Sequence, residues 1–453
     1  MKTITELNWG FFEIFLIIVT ALIGFAITYF LMPFIIKYMK KNGHIGRDIH
    51  KNSKPKVAES GGIGILIGFV ISSILLMVFF PIFLNDLIII LFTILLAGVI
   101  GFLDDKIKLR SRYKIGLTLF LGLLIFIANQ FNFIQFIDPT LPILGKMRLT
   151  ILFPVLIPVI ITVFANTVNM LEGYNGEGSG TCLIALGFLI LSSIFINSAE
   201  GLLYSVVFFA IILGFFFYNK YPAKIFPGDI GTLSMGVMIA IIALFGNLLY
   251  IAFCALLLHV FNSFLYITSV RGFFESEEIH RLRDDIILLE DDRIKASEEN
   301  KALMTIPRLI LSKEPLKEDG LVNHIYIISF LCGILALFSA FLVSYTMESI
   351  DLLMLLIFGL ILLIPICVLL YFFKRITEIA LIIFSVYCLL FLVLLFVDLI
   401  ILPYIRWNIN LIIVNIPLNM IISVLLVIPI LIIWYYLTQR YFWFRIKANN
   451  NQQ

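Results

Sequence analysis

Apolar runs of about twenty residues recur from one end of this 453-residue chain to the other, and no other feature constrains its fold as strongly. A run of that length crosses the hydrocarbon layer of a bilayer as a helix, which satisfies every backbone N–H and C=O within one segment. Thirteen spans are predicted, at about 10–36, 60–82, 86–103, 114–131, 150–170, 181–197, 201–218, 230–247, 249–270, 322–345, 351–373, 376–402 and 411–437. Hydrophobic residues make up 61% of the chain and charged residues 13%. A soluble domain carries about 25% charged residues. The alternation of a β-barrel strand is absent. The predicted fold class is therefore an all-α polytopic membrane protein.

An odd number of spans puts the two ends on opposite sides. Counting loops alternately, one side holds 28 of the 32 basic residues, and the other holds Lys2, Lys146, Arg148 and Arg406. Lysine and arginine favour the cytoplasmic side. The N-terminus is predicted outside and the C-terminus in the cytoplasm. The cytoplasmic loops are then 37–59, 104–113, 171–180, 219–229, 271–321, 374–375 and the tail after 438. The first run, about Trp9 to Phe34, is too long for the apolar region of a cleavable signal peptide. A net charge of +3 says little about partners and gives no reason to expect nucleic acid. The five cysteines, Cys182, Cys254, Cys332, Cys367 and Cys388, lie in apolar runs and read as small core residues. Inside the spans only His259, Glu378 and Asp398 stand out as ionisable, and each reads as structural or close to an interface. A carrier places its polar residues near the midplane, so the pattern argues against one.

The polar chemistry is concentrated in the cytoplasmic loops. The first ends in Glu59-Ser60-Gly61-Gly62, a polar knot at the mouth of a span. The next opens with Asp104 and Asp105, followed within ten positions by Lys106, Lys108, Arg110, Arg112 and Lys114. A carboxylate pair beside lysines can hold a divalent cation or steer a phosphate, although a solvated charge run at a helix end reads the same way. Asn166 and Asn169 are three apart and share a helix face. Gly173, Gly176, Gly178 and Gly180 follow, a backbone that can approach a ligand and turn its N–H groups toward phosphate or a nucleobase. Asp229 follows Gly228 at the start of a span, where an acid is often only a cap. Loop 271–321 is rich in both charges, and residues 284–302 are predicted to form a short amphipathic helix.

Taken in order, these loops carry Glu-Ser-Gly-Gly, then Gly-Phe-Leu-Asp-Asp with Lys114 nine residues past Asp105, then Asn-x-x-Asn-x-x-x-Gly-x-Asn-Gly, then Tyr-Pro-Ala-x-x-Phe-x-Gly-Asp, then Ile306-Pro307-Arg308. The series resembles the polyprenyl-phosphate N-acetylhexosamine-1-phosphate transferases, glycosyltransferase family 4. The resemblance covers residues 1–345, a ten-span core. Residues 346–453 form an added three-span block with no readable motif. Ile306-Pro307-Arg308, in place of a histidine-rich motif (His280 stands alone in that loop), looks like the eukaryotic and archaeal branch. Members of that branch use UDP-GlcNAc and dolichyl phosphate to begin lipid-linked oligosaccharides for N-glycosylation.

The resemblance implies a role for each matching residue. Asn169 and Asp229 would hold Mg²⁺, with Mn²⁺ as an alternative, together with the donor pyrophosphate. Asp104 and Asp105 would act on the lipid phosphate, and Lys114 would bind phosphate. Gly173 and Phe226 would sandwich the uracil, Asn175 would bond its edge, and Glu59 would lie near the ribose. Asn166 is counted with the substrate-binding residues, and Arg308 would belong to the loop covering the sugar. Tunicamycin sensitivity is implied, and a homodimer is a candidate assembly. The membrane would be the cell membrane in an archaeon and the endoplasmic reticulum in a eukaryote. The sequence departs from the branch at Glu177-Gly178-Ser179 and at Met304-Thr305, so another UDP-N-acetylhexosamine stays open as donor. A transporter or flippase of a lipid-linked sugar is the alternative from a different class.

Overall fold

The computed structural model describes residues 2–142, 145–146, 152–270, 284–299, 302–396, 408–410 and 415–450. The apolar runs are helices throughout. They are α1 (Phe11–Lys41), α2 (Gly62–Phe79), α3 (Leu84–Ile107), α4 (Ser111–Gln130), α5 (Leu152–Leu171), α6 (Glu177–Phe195), α7 (Ala199–Asn219), α8 (Gly228–Phe245), α9 (Leu249–Ala255) and α10 (Leu257–Val270). A short α11 (Ile306–Leu311) precedes α12 (Glu318–Thr346), α13 (Leu352–Phe372), α14 (Lys374–Phe396) and α15 (Leu418–Asn450). Among the described residues, ten helices are long and apolar enough to cross a membrane, or eleven when α9 and α10 count as one span bent by 69°. The chain is an integral membrane protein. The last two predicted spans correspond to α14 and α15, and 397–407, with Asp398, lies outside the described residues.

The helices run past the apolar runs that announced them. Hydropathy marks only the stretch that tolerates hydrocarbon, whereas backbone hydrogen bonding continues into the interface. So α3 carries Asp104 and Asp105 in its last turns, and Gly178, Ser179 and Gly180 lie in the first turns of α6 instead of a loop.

Helix α8 is the centre of the fold. Every residue from Ile230 to Phe245 is buried, and α2, α3, α5 and α7 pack around it. Its start is reached through small residues. A Cβ on Gly62 would run into the backbone of Gly231, and one on Gly101 into the backbone of Asp229 and Ile230. Close approach of this kind drives helix association where lipid removes the hydrophobic incentive. Here it brings the ends of α2 and α3 onto the first turn of α8.

The described residues 284–299, within the stretch predicted as an amphipathic helix, are not helical. They hold a hairpin, Ile286–Leu288 against Arg293–Ala296, with Leu316–Lys317 as a third strand on its far side. The run of β-branched and apolar residues favours strand, and Asp292 turns the chain with a positive φ of 60°. Asn52, from the first cytoplasmic loop, grips that turn through Asp292, Leu289 and Glu290. Cys182, Cys254 and Cys332 are buried core residues as expected, but Cys367 and Cys388 are exposed on the outer faces of α13 and α14. His259 is buried and bonded to Thr181 at 2.9 Å. Glu378 pairs with Arg445 and Tyr441.

Candidate active site

Four helix ends meet at one point. Helix α3 stops at Lys108, whose left-handed φ of 48° turns the chain. Asp104 seals this end by accepting from the Leu109 N–H at 2.8 Å. The chain then re-enters as α4, and Lys114 in its first turn reaches back to pair with Asp104. The same ammonium lies 3.3 Å from Asp229 Oδ2. Asp105 points to the other side, where its Oδ1 accepts the backbone N–H of Asp229 at 2.8 Å and its Oδ2 lies 3.4 Å from the Ser60 hydroxyl. Asp105 is therefore the acceptor for an N–H that α8 cannot satisfy internally. Gly228, at φ 65°, packs directly on it.

Asn169, in the last turn of α5, completes the group. Its carboxamide lies between Asp229 Oδ1 at 2.7 Å, the Thr232 hydroxyl at 2.8 Å and Lys114 Nζ at 3.1 Å. A half turn exchanges its oxygen and nitrogen. With nitrogen toward Asp229 the amide donates to the carboxylate. With oxygen there, two oxygens face each other, and a cation between them relieves the contact. The Lys114 ammonium pairs with Asp104 and Asp229, and the Asp105 carboxylate lies on the other side of the first turn of α8. Carboxylate and carboxamide oxygens are the ligands that Mg²⁺ takes, so the residues present fit a divalent cation.

A second cluster surrounds Asn175. Its side chain is 1% exposed. The amide nitrogen donates to Asp48 Oδ2 at 2.9 Å and Glu318 Oε2 at 3.0 Å, and its backbone N–H donates to Glu318 Oε1 at 2.8 Å. Carboxylates only accept, so the amide oxygen is left as the group that can take a further donor. Lys51 pairs with Asp48 and lies 3.4 Å from Glu318. Burial pushes the Asp48 carboxyl up, but Lys51 and Asn175 outweigh it and hold it below the usual carboxylate range. For Lys51, burial pulls the ammonium down and the two carboxylates more than restore it. Asp48, His50 and Glu318 lie close enough to share a metal, and the Lys51 ammonium stands beside the two acids. His50 stacks on Tyr174 with centroids 4.3 Å apart.

Other predicted site residues fare differently. Gly173 and Glu59 are exposed, Phe226 is half-buried, and Phe226 is fixed by backbone bonds to Ala58 and Gly61. The glycine-rich loop does not offer its N–H groups to a ligand as expected. Gly173 and Tyr174 donate to Glu177 Oε2 at 2.9 and 3.1 Å, and Gly178 donates to Glu172 Oε2 at 2.7 Å. Two acids thus lock the loop from within. Burial pushes the Glu172 carboxyl up to about 8, against the pull of the Gly178 N–H.

Asn166 does not join the carboxylates. It donates to Thr118 at 2.9 Å and to the Thr162 carbonyl at 2.8 Å, which makes it a strut between α4 and α5. Arg308 organises its loop from the inside. It is fully buried, and its guanidinium donates to the carbonyls of Ser297, Glu299, Ala302 and Leu303 at 2.7–3.2 Å. A guanidinium has five N–H donors, and these contacts use them all, so none is left for a sugar. Sequence reasoning overlooked Asp48, Lys51, Glu318 and Thr232. The three charged residues look like ordinary interfacial charges, and only their meeting at Asn175 marks them.

The family model described as glycosyl transferase family 4 matches residues 87–247. A protein of Methanocaldococcus jannaschii, provisionally named a glycosyltransferase, is 32% identical over 318 residues, which is 70% of this chain and 94% of that protein. A Sulfolobus acidocaldarius protein, provisionally named a UDP-N-acetylglucosamine–dolichyl-phosphate N-acetylglucosaminephosphotransferase, is 34% identical over 51% of this chain and 71% of its own length. The phospho-N-acetylmuramoyl-pentapeptide-transferase of Enterococcus faecalis is 32% identical over 50% of this chain and 75% of its own.

Proposed function

This chain belongs to glycosyl transferase family 4 and is a polyprenyl-phosphate phosphoglycosyltransferase; from that premise we propose that it transfers GlcNAc-1-phosphate from UDP-GlcNAc to dolichyl or a related polyprenyl phosphate and releases UMP. The observation that carries the reading is the meeting of Asp104, Asp105, Lys114, Asn169 and Asp229 at the ends of α3, α4, α5 and α8. The archaeal relative's name supports this donor and acceptor. Residues 1–345 form the transferase core in this reading. The basic bias of the loops supports a cytoplasmic site, and the tunicamycin expectation stands with it.

The reaction forms a bond between an acceptor phosphate oxygen and the β-phosphorus of the donor. It breaks the bond from that phosphorus to the bridging oxygen, which leaves with UMP. A phosphomonoester has its second pKa at about 6, so the acceptor arrives largely ionised and needs no strong base. Lys114 meets the incoming phosphate charge. Asp104 orients Lys114, and Asp105 holds the first turn of α8 and with it Asp229. Asn169 and Asp229 would hold Mg²⁺, which supplies charge neutralisation on the donor phosphates. The Asn175 amide oxygen, fixed by Asp48 and Glu318, suits the imide N–H of uracil.

Another UDP-N-acetylhexosamine is the second reading. What favours it is the departure of the sequence from the branch at Glu177-Gly178-Ser179 and at Met304-Thr305. A flippase reading finds less support, because the charged residues gather at helix ends and not midway along spans. The test is the purified protein with radiolabelled UDP-GlcNAc, dolichyl phosphate and Mg²⁺. A chloroform-soluble product and stoichiometric UMP are expected, and UDP-GalNAc in parallel ranks the donors. Absence of a lipid product with any of these donors would defeat the proposal.

A further inference from the structure

The block added after residue 345 is joined to the transferase core at a specific place. Helix α14 packs on α11, the short helix that carries Pro307 and Arg308. Helix α15 lies against α14 and against the bent span, where Trp434 stacks on Phe261 with centroids 4.8 Å apart and donates to the Ile382 carbonyl at 3.0 Å. Further along α15, Phe442 lies with its ring 4.5 Å from the Arg308 guanidinium, and Trp443 lies 5.8 Å from it. Phe442 is fully buried. The guanidinium is thus enclosed in two ways. The backbone carbonyls of Ser297, Glu299, Ala302 and Leu303 take its edge, and aromatic rings of α15 cover its face.

What Arg308 organises is connected onward. Thr305 caps α11 and bonds Asp285 at 2.9 Å. The Ile306 N–H donates to Asn262 Oδ1 at 3.0 Å, and Asn262 Nδ2 donates to the Met170 carbonyl at 3.2 Å. Met170 follows Asn169 directly. A contiguous chain of contacts therefore runs from α15 through Arg308, Ile306 and Asn262 to the helix end that bears Asn169.

We propose that Phe442 and Trp443 are positioning residues: by closing the face of the Arg308 guanidinium they brace the loop around it, and through Asn262 they steady the end of α5 in the active-site cluster. The added block is in this view part of the catalytic scaffold. Its consequence for donor use rests on the transfer reaction proposed above, whereas the brace itself does not.

Hydrogen–deuterium exchange on the full-length protein in detergent tests the brace without using activity. A cation–π contact of this kind is lost in Phe442→Leu, and amides of 302–309 should exchange roughly three- to thirty-fold faster. Amides in α8 should be unchanged, and Phe442→Tyr should restore protection. In the transfer assay Phe442→Leu should lower kcat/KM for the donor by a similar factor and leave the acceptor KM unchanged. Wild-type exchange at 302–309 in Phe442→Leu, or failure of Phe442→Tyr to restore it, would overturn the brace. If Phe442→Leu does not fold, Trp443→Leu is the equivalent probe. Faster exchange in a protein that shows no transfer even as wild type would retain the brace and reject the reaction.

Discussion

Asp105 offers the clearest separation between positioning and chemistry. Its carboxylate accepts the Asp229 N–H at 2.8 Å, a first-turn donor with no partner inside α8. Asp105→Ala removes that acceptor and leaves space against Gly228. Loss of such a cap costs about 1–2 kcal/mol. At about 2–4 °C per kcal/mol for larger domains, the thermal midpoint should fall measurably. The Pro227–Asp229 turn loses its anchor, and Asp229 shifts relative to Lys114 and Asn169. A displacement of about 1 Å in a reacting group can cost about 100-fold in rate. Asp105→Asn keeps an acceptor oxygen and the same shape but removes the charge. Its midpoint should stay near wild type and UDP affinity should be retained, while turnover loses only the part that depends on charge. Scanning fluorimetry in detergent, calorimetric titration with UDP and labelled-lipid formation measure the three quantities. Equal midpoints for the Ala and Asn variants would refute the cap. Parallel loss of UDP affinity and turnover in Asp105→Asn would move this carboxylate to the donor side.

Two further outcomes follow from the same geometry. Arg308→Lys replaces five donors with three and strands buried carbonyls, so it should cost roughly 2–3 kcal/mol of stability; full thermal stability with abolished transfer would instead place Arg308 on the sugar. Glu172 has a folded pKa raised to about 8 from 4.5, so the folded state holds a proton that the unfolded state releases, and stability should decline as pH rises from about 4.5 through 8. Glu172→Gln keeps the bond to Gly178 and should flatten that decline in a pH series of melting curves; an unchanged slope would reject the assignment.

The spans and the main site residues were legible because each is encoded locally. Twenty apolar residues specify a membrane helix with no help from the rest of the chain. Asp104, Asp105, Lys114, Asn169 and Asp229 each lie where an apolar run ends, a place where caps and interfacial charges also gather, so their order along the chain, more than any one position, singled them out. Their roles could be separated only with the fold in hand, since Asp104 and Asp105 are adjacent in sequence yet face a lysine and a helix start respectively. Asn166 misled because one helix face can serve both a site and an interhelical strut, and Thr118 decides which. The setting of Arg308 could not be read because nothing local to Ile306-Pro307-Arg308 tells that α15, more than a hundred residues later, closes over it. Asp48, Lys51 and Glu318 escaped notice for a similar reason: each is an ordinary interfacial charge until the fold sets all three around Asn175. The hairpin of Ile286–Leu288 and Arg293–Ala296 was hidden by a charge pattern that suits either a strand pair or a surface helix.

In the proposed reaction the four helix ends around Asp229 form a single phosphoryl-transfer site. That assignment is tested most directly by UMP release from UDP-GlcNAc in the presence of polyprenyl phosphate and Mg²⁺, comparing wild type with Asp229→Ala in the full-length protein. Acceptor-dependent UMP release is expected from the wild type and a loss of at least about 100-fold in the variant, with the fold intact by thermal melting. Equal rates in the two proteins would contradict it.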